Sequence, residues 1–401
     1  MVGCGTGGPT AAALLARHGH HVTVFERFAQ PKPVGAGILL QPSGLAVLNQ
    51  LGVLDQTVAV GSLVHKLRST TRAGRTILDL DYEELASRLC GLGINRPALL
   101  EVLLGALDKS GAELRLGCDV RAVERSSEHV RLRDSSGGIV GQFDLVVVAD
   151  GARSALRDAS PVRAQTRNYK WGAVWTMASD PHGAFAGQLR QHCHGTKQML
   201  GFLPSGTLPG QSTPCVSMFW SSRKRQAERS MAGNLDALKR EILSLAPSAE
   251  PIVDQLHSPD QLTFAQYFDT RLASVVSGRV VYLGDAAHAM SPQLGQGANL
   301  AMLDAASLAD ALSSSGRDLA ESLQLHARSR KSQVAYYQMA TRALTPFFQS
   351  SLTPISWPRD ILGAPVNRVR PLRREMVANL VGIKQSPFKR SSLDGLPHIG
   401  K

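Results

Sequence analysis

The run Gly3-Cys4-Gly5-Thr6-Gly7-Gly8 fits the pattern G-x-G-x-x-G. Each glycine in such a run has its own task. The first permits a tight turn, the second lets a pyrophosphate approach the backbone, and the third lets helix and strand pack closely. A helix that starts there offers free N–H groups and its positive dipole end to phosphates. Pro9 falls in the first turn, where a missing N–H costs little. Glu26 closes the next strand, eighteen positions after Gly8, and a carboxylate there can accept from ribose hydroxyls. Loop, helix, strand and acid in this order point to dinucleotide binding. The competing reading, a glycine-rich turn without function, does not account for that order.

Two further segments carry chemistry. Asp144–Ser154 reads as a buried strand ending in Asp150-Gly151. Gly284–Asn299, GDAAHAMSPQLGQGAN, reads as a strand end, a loop and a helix start. With the first loop, these resemble the three signatures of the flavin-dependent aromatic hydroxylases, the group of para-hydroxybenzoate hydroxylase and the ubiquinone-biosynthesis hydroxylases. The resemblance runs from Gly3 to about Leu312. It implies FAD as cofactor and NADH or NADPH as co-substrate. It also implies O2 and hydroxylation of a small, aromatic and apolar substrate through a flavin hydroperoxide. Within it, Gly3, Gly5 and Gly8 would receive the pyrophosphate, and Glu26 with Arg27 the adenosine end. Arg96, in Ile94-Asn95-Arg96-Pro97, matches a FAD-contacting arginine, and Gly35-Ala36-Gly37-Ile38 matches the segment beside the flavin. Asp150 and Gly151 are tied to both FAD and NAD(P)H. Asp285 would bind the ribityl and pyrophosphate region. Gly295, Gly297, Ala298 and Asn299 would lie at the pyrimidine edge.

That last placement has a physical reason of its own. Reduced flavin is anionic at its pyrimidine edge, and a helix beginning near Gln296 aims N–H groups and positive dipole there. The cofactor carries the hard chemistry, and the protein supplies orientation and a dry pocket. No H-E-x-x-H, C-x-x-C or G-x-S-x-G proposes a metal or a nucleophile instead. A single Gly-rich fingerprint fits an enzyme whose nicotinamide donor visits without a domain of its own. A reductase or halogenase on the same scaffold is the rival enzyme, although W-x-W-x-I-P is absent. A truncated, FAD-free chain is the non-catalytic rival. His192 and His194 are weak catalytic candidates: strand alternation puts both on one face, and histidine can deprotonate a phenol. No second ligand pair accompanies them, so a metal is not expected.

The elements that must position these residues follow from periodicity. Helices are expected over Ala11–Ala16, Pro97–Lys109, Leu235–Leu245, Gln296 to Leu312 and Leu319 to Ala340. Short strands are expected at Val22–Phe25, Glu113–Leu116, Val120–Glu124, Val130–Arg133 and Arg279–Leu283. Between Tyr169 and Phe268 the pattern turns to extended runs, read as an inserted antiparallel sheet. Trp171, Trp175, Phe202, Phe219, Trp220 and Phe264 lie on it, and one face should roof the flavin. Beyond Thr345 the prolines 346, 354, 358, 365 and 371 should break the tail into short pieces. The fold expected is α/β: a Rossmann-like FAD-binding domain, an inserted antiparallel β-sheet substrate domain and a C-terminal helical extension. Its segments are 1–68, 90–160 and 272–335 for FAD, a hairpin at 69–89 and the sheet at 161–271 for substrate, and 336–401 for the extension. A buried nucleotide-binding strand needs about five residues. Only Met1-Val2 precede the loop, so either the start lies upstream or folding suffers.

Bulk composition is that of a globular chain: 401 residues, 43% hydrophobic and 19% charged. Five scattered cysteines, no signal-peptide pattern and no spanning apolar run suggest a reduced, cytoplasmic protein. The net charge is +12, and eleven Lys or Arg against three acids lie from Lys331 onward. That tail mixes Phe347, Phe348 and Trp357 with Arg359, Arg368, Arg370, Arg373 and Arg374. Peripheral membrane contact and a solvated basic surface are both compatible with it. No recognition motif supports nucleic acid, and nothing in the sequence sets an oligomeric state.

Overall fold

Short valine-rich strands with alternating faces build the centre of the molecule. The computed structural model describes residues 1–31, 37–231, 235–314 and 316–400. Thr23–Phe25 pairs with Glu113–Arg115, and Val146–Val148 with Val280–Tyr282, both in parallel. Met1-Val2 run between the two pairs. The Val2 amide donates to the Val147 carbonyl at 2.8 Å, and the Phe25 amide to the Met1 carbonyl at 2.9 Å. The flanking strands are only three residues long, so two residues already span most of the pairing. Alternation sends Met1, Val24, Val147 and Val281 to one face, and Val2, Phe25, Val146 and Val148 to the other. Helices Gly7–Arg17, Arg96–Lys109 and Gly297–Ser313 cover the first face. Three antiparallel strands between Val120 and Phe143 cover the second.

A nine-stranded sheet forms the other half. Its path runs Thr263–Leu272, Ala164–Ser179, Pro214–Arg223, Gln198–Thr207, Gly187–His194, Ser62–Thr71, Gly91–Asn95 and Gly37–Leu40, with Thr76–Asp81 beside Ser62–Thr71. All pairings are antiparallel except that of Gly187–His194 with Ser62–Thr71. Four of the nine strands therefore come from before residue 161. On one face Phe202, Val216 and Trp220 pack under helices Leu235–Leu245 and Glu250–Val253. On the other, Leu203, Phe219 and Ala173 meet Phe348, Val377 and Val381 of the tail. Helix Lys224–Met231 was not expected: among its described residues only Ala227 and Met231 pack on the core, and two apolar residues in a short, strongly polar segment make a weak signal.

The tail corrects one expectation. Beyond Thr345 it is divided into short pieces as expected, of three to thirteen residues, but Pro346 and Pro365 lie inside helices and do not break them. Helix Leu319–Phe348 runs 30 residues with Pro346 in its last turn, and helix Ser356–Arg368 contains Pro365 near its end. A proline so close to a C-terminus removes one backbone bond and leaves the rest of the helix intact. Pro371 opens helix Arg370–Val381 at a first-turn position, where the missing N–H is not needed. Gly382, at φ +94°, ends that helix.

Candidate active site

A cleft of about 340 Å³ opens over the first glycine loop. The three glycines differ in what surrounds them. Gly3 sits at φ +103°, and a Cβ on it would come within 2.4 Å of the Ala149 carbonyl. A Cβ on Gly8 would lie 2.0 Å from the Gly3 carbonyl, so helix and loop touch there. A Cβ on Gly5 would have no atom of the described residues within 4 Å, and Gly5 borders the cleft. Helix Gly7–Arg17 begins at the floor, with no acid in its first turn to neutralise its positive end. Glu26 stands at one wall. Its Oε2 accepts the Cys4 amide at 2.9 Å and its Oε1 the Phe28 amide at 3.1 Å. Arg27, Arg96, Asp150 and Gly151 complete the rim. Asp150 Oδ1 is buried and has no partner among the described residues. Burial pushes its carboxyl up, against the pull of a Ser154 hydrogen bond.

A second group adjoins the first through Ala301. A Cβ on Gly7 would touch the Ala301 methyl at 3.4 Å, and one on Gly284 would approach it to 2.9 Å. Gly284, at φ +56°, turns the chain so that Asp285 is exposed. Asp285 Oδ1 lies 3.8 Å from where a Gly297 Cβ would stand. Helix Gly297–Ser313 starts here, after Gly295 at φ +61°. Asn299 is fully buried and its side chain is spent on backbone. Its Oδ1 accepts the Gln41 amide at 2.8 Å, and its Nδ2 donates to the carbonyls of Leu39 and Gly295. It fastens strand Gly37–Leu40 to the loop. Of the expected segment beside the flavin, Gly37 and Ile38 begin that strand, while Gly35 and Ala36 lie outside the described residues.

Two buried networks that sequence reasoning missed hold these turns. Asp304 accepts the Gly284 amide at 3.0 Å, meets His288 Nε2 at 2.5 Å and accepts Arg330 Nε at 2.8 Å. Burial opposes its ionisation, but His288 and Arg330 outweigh that and hold the carboxyl far below its usual range. His326 stands close by, and burial pushes it down to about 4. The signal was present: Leu300, Asp304 and Leu308 share one helix face, so an acid interrupts an apolar stripe. Arg157, also buried, donates to the carbonyls of Ala152 and Ala286 and so ties the Asp-Gly turn to the Gly-Asp turn.

His192 and His194 are not part of this site. Alternation places both on the sheet face covered by helix Leu235–Leu245. His192 packs edge-on to Phe202 and contacts Thr70 at 3.3 Å, while His194 Nδ1 bonds Gln198 Oε1 at 2.9 Å. Phe202 and Trp220 are core of the same face, whereas Trp175 and Phe219 stack at 5.0 Å on the opposite one. There Gln349 links the flavin-motif loop to the sheet, accepting from Gln293 and donating to the Gly172 carbonyl.

The description of the FAD binding domain family matches residues 1–343. A probable 2-heptyl-3-hydroxy-4(1H)-quinolone synthase of Rhodococcus erythropolis is 31% identical over 337 residues, 80% of this chain and 81% of its own. The 3-amino-4-hydroxybenzoate 2-monooxygenase of Streptomyces cremeus is 29% identical over 335 residues, 78% of this chain and 77% of its own. Among solved structures, Klebsiella pneumoniae HpxO complexed with FAD and uric acid has the same fold. It matches with a TM-score of 0.79 at 21% identity, over 94% of this chain and 96% of that one. The motifs, the α/β fold and the family match agree: the chain belongs to the FAD binding domain family and is a flavoprotein monooxygenase with FAD as its cofactor.

Proposed function

We propose that this chain uses NADH or NADPH and O2 to hydroxylate a small aromatic, largely apolar substrate. The convergence of three motifs carries this reading: the glycine loop, the Asp150-Gly151 turn and the Gly284-Asp285 turn meet along one seam. The residues present fit FAD. Gly5 leaves the cleft open beside the helix start, and Asp150 offers an unpaired buried acceptor at its rim. Glu26 and Arg27 would hold the adenosine end, Gly3, Gly5 and Gly8 the pyrophosphate, and Arg96 with Asp285 the linking region. Gly297 and Ala298 would present backbone N–H groups to the ring, with Gly295, whose own N–H is held by the Pro292 carbonyl, shaping the turn beside it and Asn299 fixing the loop. When bound, the flavin takes electrons from the nicotinamide and passes an oxygen atom to substrate. The chain's own part is to orient both and to exclude water.

The substrate class rests on the relatives, whose names specify a quinolone and an aminohydroxybenzoate. Trp175 and Phe219 on the sheet would suit a flat ring. We assign the FAD-binding role to 1–68, 90–160 and 272–335, and the substrate role to 69–89 and 161–271. Five free cysteines suit a cytoplasmic setting. The exposed apolar tail favours peripheral membrane contact, and no helix of the described residues is long and apolar enough to cross a membrane.

The test is nicotinamide oxidation by the FAD-loaded protein over a panel of phenols, quinols and indoles. At least one should stimulate turnover and return a product one oxygen atom heavier. Oxidation that no aromatic accelerates, with no oxygenated product, would favour a reductase and overturn the proposal.

A further inference from the structure

Gln41 is fully buried at the junction of strand Gly37–Leu40 and helix Pro42–Gln50. Two bonds fix this residue in place. Its backbone amide donates to Asn299 Oδ1 at 2.8 Å. Its Oε1 accepts the Tyr82 hydroxyl at 2.7 Å. Tyr82 is itself fully buried, and burial pushes its phenol well above the ordinary range, so it remains a donor. With the Tyr82 hydroxyl donating to Gln41 Oε1, the amide nitrogen is turned the other way. That nitrogen has no partner among the described residues. It lies 3.7 Å from the position a Cβ would take on Gly295, immediately before helix Gly297–Ser313.

A buried amide N–H without an acceptor is rare in native folds and calls for an explanation. Here it stands beside a left-handed glycine and a helix start whose dipole favours negative charge. We propose that Gln41, aimed by Tyr82, donates from Nε2 to the electron-rich edge of the flavin and thereby favours its reduced form. This rests on the FAD reading above and adds to it a residue outside the three motifs. Tyr82 acts through Gln41 and is a positioning residue.

The experiment compares Gln41→Leu, Gln41→Glu and Tyr82→Phe with the wild type, all purified with FAD and free of substrate. Flavin absorbance gives the FAD load, and equilibration with a reference dye gives the midpoint potential. Gln41→Leu should keep FAD and disfavour the reduced form about tenfold, about 30 mV lower for a two-electron couple. Gln41→Glu, of nearly the same shape but anionic, should shift it further in the same direction. Tyr82→Phe frees the amide to rotate and should give a smaller shift of the same sign. Unchanged potentials in the variants that fold and keep FAD would overturn the inference and leave the FAD reading standing. A shift that appears only with an aromatic substrate bound would also overturn it, because the donor would then serve the substrate. A wild type that retains no FAD would defeat the FAD reading itself. If Gln41→Leu does not fold, the nearly isosteric Gln41→Glu and Tyr82→Phe decide the matter alone.

Discussion

Glu26 does two things with one carboxylate. A carboxylate offers about four lone-pair sites, and the Cys4 and Phe28 amides use two of them. The remaining sites at the cleft would receive ribose hydroxyls under the FAD reading proposed above, so the residue that shapes the loop would also recognise the ligand. Its negative charge also reinforces burial in pushing the Cys4 thiol up to about 12, which keeps that sulfur protonated and inert at neutral pH. Glu26→Ala should therefore weaken FAD by about 1–3 kcal/mol, the range for leaving buried partners unpaired. Titration of the FAD-stripped variant, followed by flavin fluorescence, measures this, and an unaltered affinity would dismiss the ribose role. At this scale the sequence was readable where the constraint is local. Gly3 and Gly8 are dictated by backbone within 3 Å of them, and spacing alone locates Glu26. Asp304, Arg330, Gln41 and Tyr82 escaped because the side-chain pairs His288–Asp304, Asp304–Arg330 and Gln41–Tyr82 span 16 to 41 positions, and no short pattern records such a pairing.

Between elements, the buried acid at Asp304 joins the Gly-Asp turn, helix Gly297–Ser313 and helix Leu319–Phe348 into one knot. Its pH response can be worked out. In the unfolded chain His326 takes a proton near 6.5, but in the knot burial holds it down to about 4, with Asp304 opposing and Arg330 and His288 assisting. Below 6.5 the unfolded state thus binds the extra proton, and acid favours unfolding. Stability from this group is complete above that value and is lost as the pH falls toward 4. Urea unfolding of the wild type should lose about 1.4 kcal/mol more per pH unit across that window than His326→Asn, which keeps an acceptor for Ser307 but does not titrate. Parallel pH curves for the two proteins would show that His326 is charged in the fold. Long periodic elements such as Arg96–Lys109 and Gly297–Ser313 were legible because apolar residues recur at helical spacing over several turns, even with Asp304 set into the second of them. Strands Gly37–Leu40 and Gly91–Asn95 were not: nearly every residue is buried, so neither shows alternation, and their sheet partners are remote in sequence.

Across the whole molecule, charge and exposed apolar surface fall together in the tail. On helix Ser356–Arg368, Trp357 is 68% exposed, Ile361 64% and Leu362 55%, and Leu352 before it is 57% exposed. Trp357 and Ile361 stand one helical turn apart, so they share a face. The cations divide into two sets. Arg359 and Arg373 are engaged with Asp360 and Glu84. Arg368, Arg370 and Arg374 are exposed at the end of this helix and the start of the next, beside the exposed Val369 and Leu372. An apolar face edged by arginines that pair with no acid among the described residues would repel a second copy of itself. It would suit the anionic lipid surface proposed above, where each such cation would contribute about 1 kcal/mol and the apolar side chains would enter the headgroup boundary. The protein should therefore sediment with vesicles containing phosphatidylglycerol and not with pure phosphatidylcholine vesicles, and added salt should weaken the binding. Trp357→Ser with Ile361→Ser should abolish it without changing flavin content, since neither residue approaches the cleft. Removing Arg368, Arg370 and Arg374 should weaken it and flatten the salt dependence. Equal sedimentation with both vesicle types, or none with the anionic ones, would return this face to the role of a solvated surface.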